Sequence, residues 1–270
     1  MSEAANKYAL VTGASSGIGR HLANQLAARG YNIIAVSNQA AELQELKSEL
    51  STRYGVHLRT IYTDLAEEDA ATALFKRIRH EKLHVEVLVN NAGTMVFSEM
   101  VEVDPVKMNA VMLLHMNTPA LLCRLFGKDM KTRGSGYILN VSSISAFMPY
   151  PTISLYGPSK AFLRSFSRAI RTEMKPYGIK VTCLIPGSTD TALNSPDSPF
   201  ASLSRRLGKP MQAEKVAEAG LKALFKGRAK AIPGAVNKLI VRTVPLVPWS
   251  LINLAFRQMI KKRGYDGKAL

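Results

Sequence analysis

Between Tyr8 and Ile232, short apolar runs alternate with stretches of helical period, and this alternation narrows the fold more than any single residue. Seven runs read as strands, at residues 8–12, 32–37, 58–63, 85–90, 137–141, 180–185 and 229–232. The first six are rich in Val, Ile, Leu or Tyr and too short for helices. Between them, residues 17–29, 40–53, 67–79, 106–131, 159–175 and 214–226 carry the helical spacing. A helix between two strands returns the chain to its starting edge, so consecutive strands pair in parallel through right-handed crossovers. Parallel sheets bury both faces, which agrees with strands that are apolar throughout rather than alternating. The expectation is α/β: a doubly wound, seven-stranded parallel sheet with helices on both faces and a helical C-terminal extension. No internal repeat or linker divides the chain. One domain over residues 1–270 is expected, with a core at about 7–235 and an extension at 236–270.

Composition restricts function less sharply. Met1 to Lys7 is polar, and the apolar run that follows is too short for a signal-peptide core, so a cytoplasmic location is expected. Two cysteines make no disulfide framework, and Cys183, inside V-T-C-L-I, reads as strand core. The net charge of +16 is concentrated at one end. Residues 201–270 hold fifteen Lys and Arg against three Asp and Glu, while residues 1–200 hold twenty-one against seventeen. The excess therefore belongs to the C-terminal quarter, and no nucleic-acid partner is expected.

The chemistry lies at strand ends. T-G-A-S-S-G-I-G, from Thr12 to Gly19, follows the first strand and opens a helix. Glycines there allow a tight turn and let a pyrophosphate approach free backbone N–H groups at the positive end of the helix dipole. N-N-A-G, from Asn90 to Gly93, ends the fourth strand, and Ser143 leaves the fifth. Tyr156 and Lys160 lie one helical turn apart on one face. A carbonyl reduction needs a hydride donor, an acid and a group to hold the oxygen as it becomes negative. Lys160 can stabilise a tyrosinate, and Ser143 can donate to the oxygen, although Ser142 remains an alternative because adjacent strand residues face opposite ways.

With these motifs in this order, the chain resembles the short-chain dehydrogenase/reductase family over roughly residues 7–235. The resemblance implies a Rossmann-type sheet and an oxidoreductase that transfers a hydride between nicotinamide and a carbonyl or alcohol. It implies Tyr156 as general acid/base with Lys160, Ser143 and Asn117 completing the catalytic set, Asn117 holding a water in a proton relay. For the cofactor it implies contacts from Gly13, Ser15, Ser16, Gly17, Ile18, Gly19, Ser37, Asn38, Asp64, Leu65, Asn91, Ala92 and Gly93. Tyr156, Lys160, Pro186 and Gly187 join them, with Thr189 or Thr191 as the hydroxyl partner of the carboxamide. Asn90 resembles the residue that steadies the central strands. Family members pair through two long helices, here 106–131 and 159–175, so a homodimer or homotetramer is expected.

Cofactor choice is read at the end of the second strand, where Ser37-Asn38-Gln39 offers no carboxylate to repel a 2′-phosphate. Arg20 could add positive charge. NADP(H) is therefore favoured and NAD(H) left open. Met95, Phe97, Phe147, Met148, Tyr150 and the 193–200 loop form an apolar list without a charged anchor, which favours hydrophobic carbonyl or alcohol substrates. The aperiodic stretch 188–210 reads as a loop over the strand ends. A dinucleotide-binding scaffold without turnover is the alternative, but such a protein has no need of Lys160 one turn from Tyr156.

Two motifs mislead. His80-Glu81-Lys82-Leu83-His84 matches a zinc-protease pattern, but a strand begins beside His84 and no metal site is expected. Asn140-Val141-Ser142 matches a glycosylation sequon on a buried strand. In the tail, Arg242, Pro245 and Pro248 exclude a clean membrane span. From Trp249 onward, Ile252, Ala255, Phe256 and Met259 form one face, and Asn253, Arg257 and Lys261 the other, with Lys262 and Arg263 beyond. That face either packs on the protein itself or lies on a membrane surface.

Overall fold

The computed structural model describes residues 7–148, 151–191 and 210–254. Strands β1 (Lys7–Thr12), β2 (Asn32–Ser37), β3 (Leu58–Tyr62), β4 (His84–Asn90), β5 (Gly136–Val141), β6 (Ile179–Leu184) and the short β9 (Lys230–Ala231) form one sheet in the order β3-β2-β1-β4-β5-β6-β9. Every pairing is parallel. The order reverses between β1 and β4, and at such a switch point the strand ends leave a crevice for a ligand.

Helices cover both faces. On one, α1 (Gly17–Ala27), α2 (Ala40–Tyr54) and α7 (Ala213–Phe225) bury Leu22, Leu26, Leu46 and Leu221 against Val11, Val87 and Leu139. On the other, α3 (Ala70–His80), α5 (Thr118–Arg133) and α6 (Tyr156–Met174) pack Leu74, Phe126 and Ile170 against Leu10, Leu88 and Ile138. Burying each such side chain stabilises by about 1.5–3 kcal/mol. Between the central strands, the Asn90 amide donates to Asn140 Oδ1 (2.8 Å), and the Asn140 amide donates to Ser167 Oγ (2.9 Å). This buried network ties β4, β5 and α6 together below the site, and fully buried Asn140 is no surface sequon.

Three features depart from the sequence reading. Residues 106–131 do not form one helix. The segment is α4 (Pro105–Met112), a π-helical turn (Leu113–Asn117) and α5. Pro119, in the first turn of α5, has no N–H and crowds the carbonyl of residue 115, so the α ladder opens there into a wider turn. By length and a mean hydropathy of 1.2, residues 105–133 could cross a membrane. Leu122, Phe126 and Met130 instead sit in the core cluster, as in a soluble core helix. Second, the expected helical extension begins earlier than the pattern read from Trp249, with α8 (Ala235–Thr243). It sends Val241 and Ile240 onto Ile144, Cys183 and Ile185, so this helix is part of the packed core. Third, the two ends of the 188–210 loop are clamped, with β7 (Thr189–Asp190) pairing with β8 (Met211–Gln212).

Candidate active site

The β1–α1 turn is built by backbone demands. Gly13 has φ +62°, and a Cβ there would lie 2.9 Å from Ala92 Cα. A Cβ on Gly19 would collide with the Gly13 carbonyl, so helix and turn close up only without side chains. Thr12 Oγ1 accepts from the N–H groups of Asn91 and Ala92, and the Asn91 amide donates to the carbonyls of Thr12 and Gly13. These bonds lock the N-N-A-G strand end onto the glycine turn. A cleft of about 670 Å³ opens above them, lined by Gly13, Ser15, Ser16, Gly17, Ile18, Ser37, Asn38, Asp64, Leu65, Asn91, Ala92, Gly93 and Thr191, all named from sequence. Gln39, read with Ser37 and Asn38 at the end of the second strand, lines it too, as do Met95 and Phe97, while Thr63, Thr94 and Leu114 were not named from sequence.

Three details define the ribose end. Ser37 is mostly buried where it lines the cleft; its hydroxyl pairs with Ser15 Oγ (2.8 Å) and accepts from the Gln39 N–H (3.2 Å). Arg20 does not lend its charge, because Glu49 (2.7 Å) and Glu45 (3.6 Å) hold it. Asn38 is the exposed rim residue, its amide donating to Asp64 Oδ2 (3.2 Å). Asp64 also accepts from the Ala66 N–H. No Lys or Arg lines the cleft among the described residues.

At the other end, Lys160 is buried at 4% exposure, its ammonium donating to the Val141 carbonyl (3.1 Å) and lying 5.5 Å from the Tyr156 ring centre. Burial pulls its pKa down to about 8. The Tyr156 phenol is pushed up by burial, and its hydrogen bond with Ser143 works against that rise. The two serines separate cleanly. Ser142 donates to the Lys160 carbonyl (2.7 Å) beneath α6, and Ser143 turns toward the Tyr156 phenol. Ser142 N–H to Leu184 and Ile144 N–H to Pro186 fix that turn. Asn117 is not brought to the site. Its side chain is exposed and makes no hydrogen bond to a described residue, because the π turn rotates it outward. His115, two residues earlier, points inward instead: a Cβ on Gly93 would lie 3.1 Å from His115 Nε2 and 3.4 Å from Lys160 Nζ.

On the far wall, Thr189 is buried with its hydroxyl on the Gly187 carbonyl (3.0 Å), whereas Thr191 borders the cleft beside Gly17. Asn237 from α8 packs on Gly187 and donates to the Pro233 carbonyl (2.7 Å). Arg164 lies 4.2 Å over the Phe147 ring. Tyr150 and the 193–200 loop, named for the substrate wall, lie outside the described residues. His80 ends α3 and His84 begins β4, so the two imidazoles do not share a helix face.

This glycine turn at a sheet switch point, with a buried lysine beside a tyrosine, has relatives. A profile described as short chain dehydrogenase matches residues 7–201. The chain is 32% identical over 192 residues to a very-long-chain 3-oxoacyl-CoA reductase of Pyrenophora tritici-repentis, covering 69% of this chain and 56% of that protein. It is 29% identical over 269 residues to very-long-chain 3-oxoacyl-CoA reductase-A of Danio rerio, covering 98% of this chain and 82% of that one. Among solved structures, a short-chain dehydrogenase from Sphingobium yanoikuyae in complex with NADPH superposes with TM-score 0.78 at 26% identity, covering 98% of both chains. A bulky-bulky ketone specific alcohol dehydrogenase from Comamonas testosteroni gives 0.74 at 25%, covering 97% of this chain and 96% of that one. The cleft, the sheet beneath it and the profile match agree: the chain belongs to the short-chain dehydrogenase family of NAD(P)-dependent oxidoreductases.

Proposed function

We propose that the protein is an NADP(H)-dependent reductase or dehydrogenase for hydrophobic carbonyl and alcohol substrates, with Tyr156 as the general acid/base. The observation that carries this reading is the pairing, on the first turn of α6, of Tyr156 with a buried Lys160, with Ser143 on the phenol. Burial keeps Tyr156 protonated at neutral pH, the state an acid needs for reduction. Bound in the cleft, the nicotinamide supplies or accepts the hydride. Lys160 would steady the tyrosinate left when the proton is given up, and would hold the ribose hydroxyls of the bound cofactor. The Ser143 hydroxyl holds the substrate oxygen. The backbone of the Gly13–Gly17 turn at the α1 N-terminus fits a pyrophosphate, and Asp64 with Leu65 fits the adenine side.

NADP(H) is preferred because no carboxylate ends β2 at the ribose, and the neutral Asn38 and Gln39 leave room for a 2′-phosphate. The NADPH complex of the Sphingobium relative supports that preference. The apolar Met95 and Phe97 wall, with relatives named for long-chain acyl and bulky ketone substrates, supports a hydrophobic substrate. Purified protein with NADPH or NADH and a panel of aldehydes, bulky ketones and 3-oxoacyl thioesters, followed by reduced-nicotinamide absorbance, tests it. Cofactor binding without turnover of any panel member favours the scaffold alternative.

The same reading takes the enzyme as a cytoplasmic homodimer or homotetramer with a peripheral membrane face. Val106 and Met112 on α4 are exposed and apolar, where a sister subunit would cover them. In the extension, Val241 and Ile240 serve the protein's own core, while Val236, Leu239, Leu246, Trp249, Leu251 and Leu254 are exposed alongside Lys238 and Arg242. An apolar row with Trp beside cations suits the boundary of an anionic bilayer. Ala255, Phe256, Arg257, Met259, Lys261, Lys262 and Arg263 lie outside the described residues.

A further inference from the structure

His115 is a buried titratable residue with no part in the chemistry so far, and every polar atom of its ring is engaged. It is 1% exposed, within the π turn. The Thr94 N–H donates to its Nε2 (2.9 Å), its Nδ1 lies 2.9 Å from Ser159 Oγ, and the Ser159 hydroxyl donates to the Tyr156 carbonyl (2.8 Å). Its ring meets the Tyr156 ring edge-on, with centroids 5.6 Å apart at 75°. A backbone N–H can only donate, so Nε2 must be the bare nitrogen and Nδ1 must carry the proton of a neutral ring. The bonds then run one way, from Nδ1–H to the Ser159 hydroxyl to the Tyr156 carbonyl. They join the strand-end loop that floors the cleft to the turn of α6 that bears the tyrosine.

We propose that His115 is the positioning residue of this active site, occupying the interior place that the sequence assigned to Asn117 and holding Tyr156 in register with the Gly93–Thr94 floor. The proposal rests on Tyr156 being the acid. Protonating the ring would set an N–H against the Thr94 N–H and a second cation beside Lys160. Lys160 is the only charged residue among the described groups that surround His115; the neighbours include Gly93 and Thr94 on the loop, Leu114 and Thr118 on its own segment, and Tyr156 and Ser159 on α6. Burial and that cation both hold the ring neutral.

The test compares Tyr156→Phe, His115→Leu, His115→Gln and Asn117→Ala, with NADPH and benzil as the probe carbonyl. Circular dichroism and NADPH titration monitor the fold and the cleft. Nitrogen NMR of the native protein reads the imidazole directly, whatever benzil does, and the Nδ1–H neutral tautomer is expected. His115→Leu is expected to lower kcat by about ten- to a hundredfold while moving NADPH affinity and KM far less, the scale of a misplaced catalytic group. Glutamine can accept from Thr94 and donate to Ser159 without titrating. That variant should recover at least about threefold of the loss and show a flatter acid limb of kcat against pH than the native enzyme. Asn117→Ala should cost less than His115→Leu. An Nε2–H tautomer, a larger loss in Asn117→Ala, or a glutamine variant with the native acid limb overturns the proposal. If His115→Leu does not fold, the glutamine variant and the NMR decide. Should Tyr156→Phe keep its rate, the acid assignment itself fails; should only the His115 variants be silent, this inference alone fails.

Discussion

Lys160→Met separates the cost of burying a cation from what the cation does. Burial moves the Lys160 pKa from 10.5 to about 8. At about 1.4 kcal/mol per unit, the folded cofactor-free protein bears about 3 kcal/mol for keeping this ammonium inside near neutral pH. Methionine matches the length of the stem and needs no solvation. It leaves the Val141 carbonyl without its 3.1 Å donor, a loss of about 1 kcal/mol. The variant should therefore be more stable than the native protein by about 2 kcal/mol at about pH 7. Because the folded pKa lies below the unfolded one, the native penalty is complete below about pH 8. It fades as pH rises toward 10.5, where the unfolded chain also loses its proton. The variant's advantage should shrink to near zero by about pH 10. Urea unfolding of both cofactor-free proteins at the two pH values, with m-values compared, measures this. Turnover and NADPH affinity should both fall in the same variant. A methionine variant less stable than native near neutrality, or an advantage that ignores pH, would refute the reasoning. A loss confined to turnover would refute the second role of Lys160 at the ribose.

Other outcomes follow from the same geometry. Tyr156→Phe removes one hydroxyl, so folding and NADPH binding should persist while turnover falls by about a hundredfold or more, read in a steady-state assay. Asn38→Arg puts a guanidinium at the exposed rim beside Asp64. NADPH binding should tighten about tenfold and NADH binding change little, by fluorescence titration. Ser37→Asp, at the buried rim position, should instead lower stability, since a carboxylate there would displace the Ser15 bond; thermal unfolding reports it. Paired Trp249→Glu and Leu251→Glu changes should abolish sedimentation with anionic vesicles without lowering thermal stability, because both residues are exposed. Truncation at Gly234 is a poorer test, since it strips Val241 from the core.

Much of the site was legible because its requirements are local. Gly13 and Gly19 answer to backbone clearance, and clearance is a property of residue type. Tyr156 and Lys160 share a face because helical spacing is fixed, and α6 runs through both. Ser142 and Ser143 could not be told apart in sequence, since alternate facing holds only once the strand's orientation is known. The bond from Ser142 to the Lys160 carbonyl chose between them. Arg20 read as a free cation because its carboxylate partners, Glu45 and Glu49, lie on a different helix. His115 left one faint trace, a lone histidine in the apolar run M-L-L-H-M.

The sequence by itself determined the alternation of strands and helices, the glycine turn and the order of reactive residues along the chain, all of which depend on neighbours within a few positions. Tertiary structure decided which of those residues face inward together. A π turn opened by Pro119 shifts the helical register, carrying Asn117 out and His115 in. That change in facing is invisible to a period of 3.6 residues, because the widened turn forms where packing of α5 against the sheet tolerates it. Likewise α8 holds its place through Val241, which meets Ile144, Cys183 and Ile185 only once the sheet has brought those distant segments together.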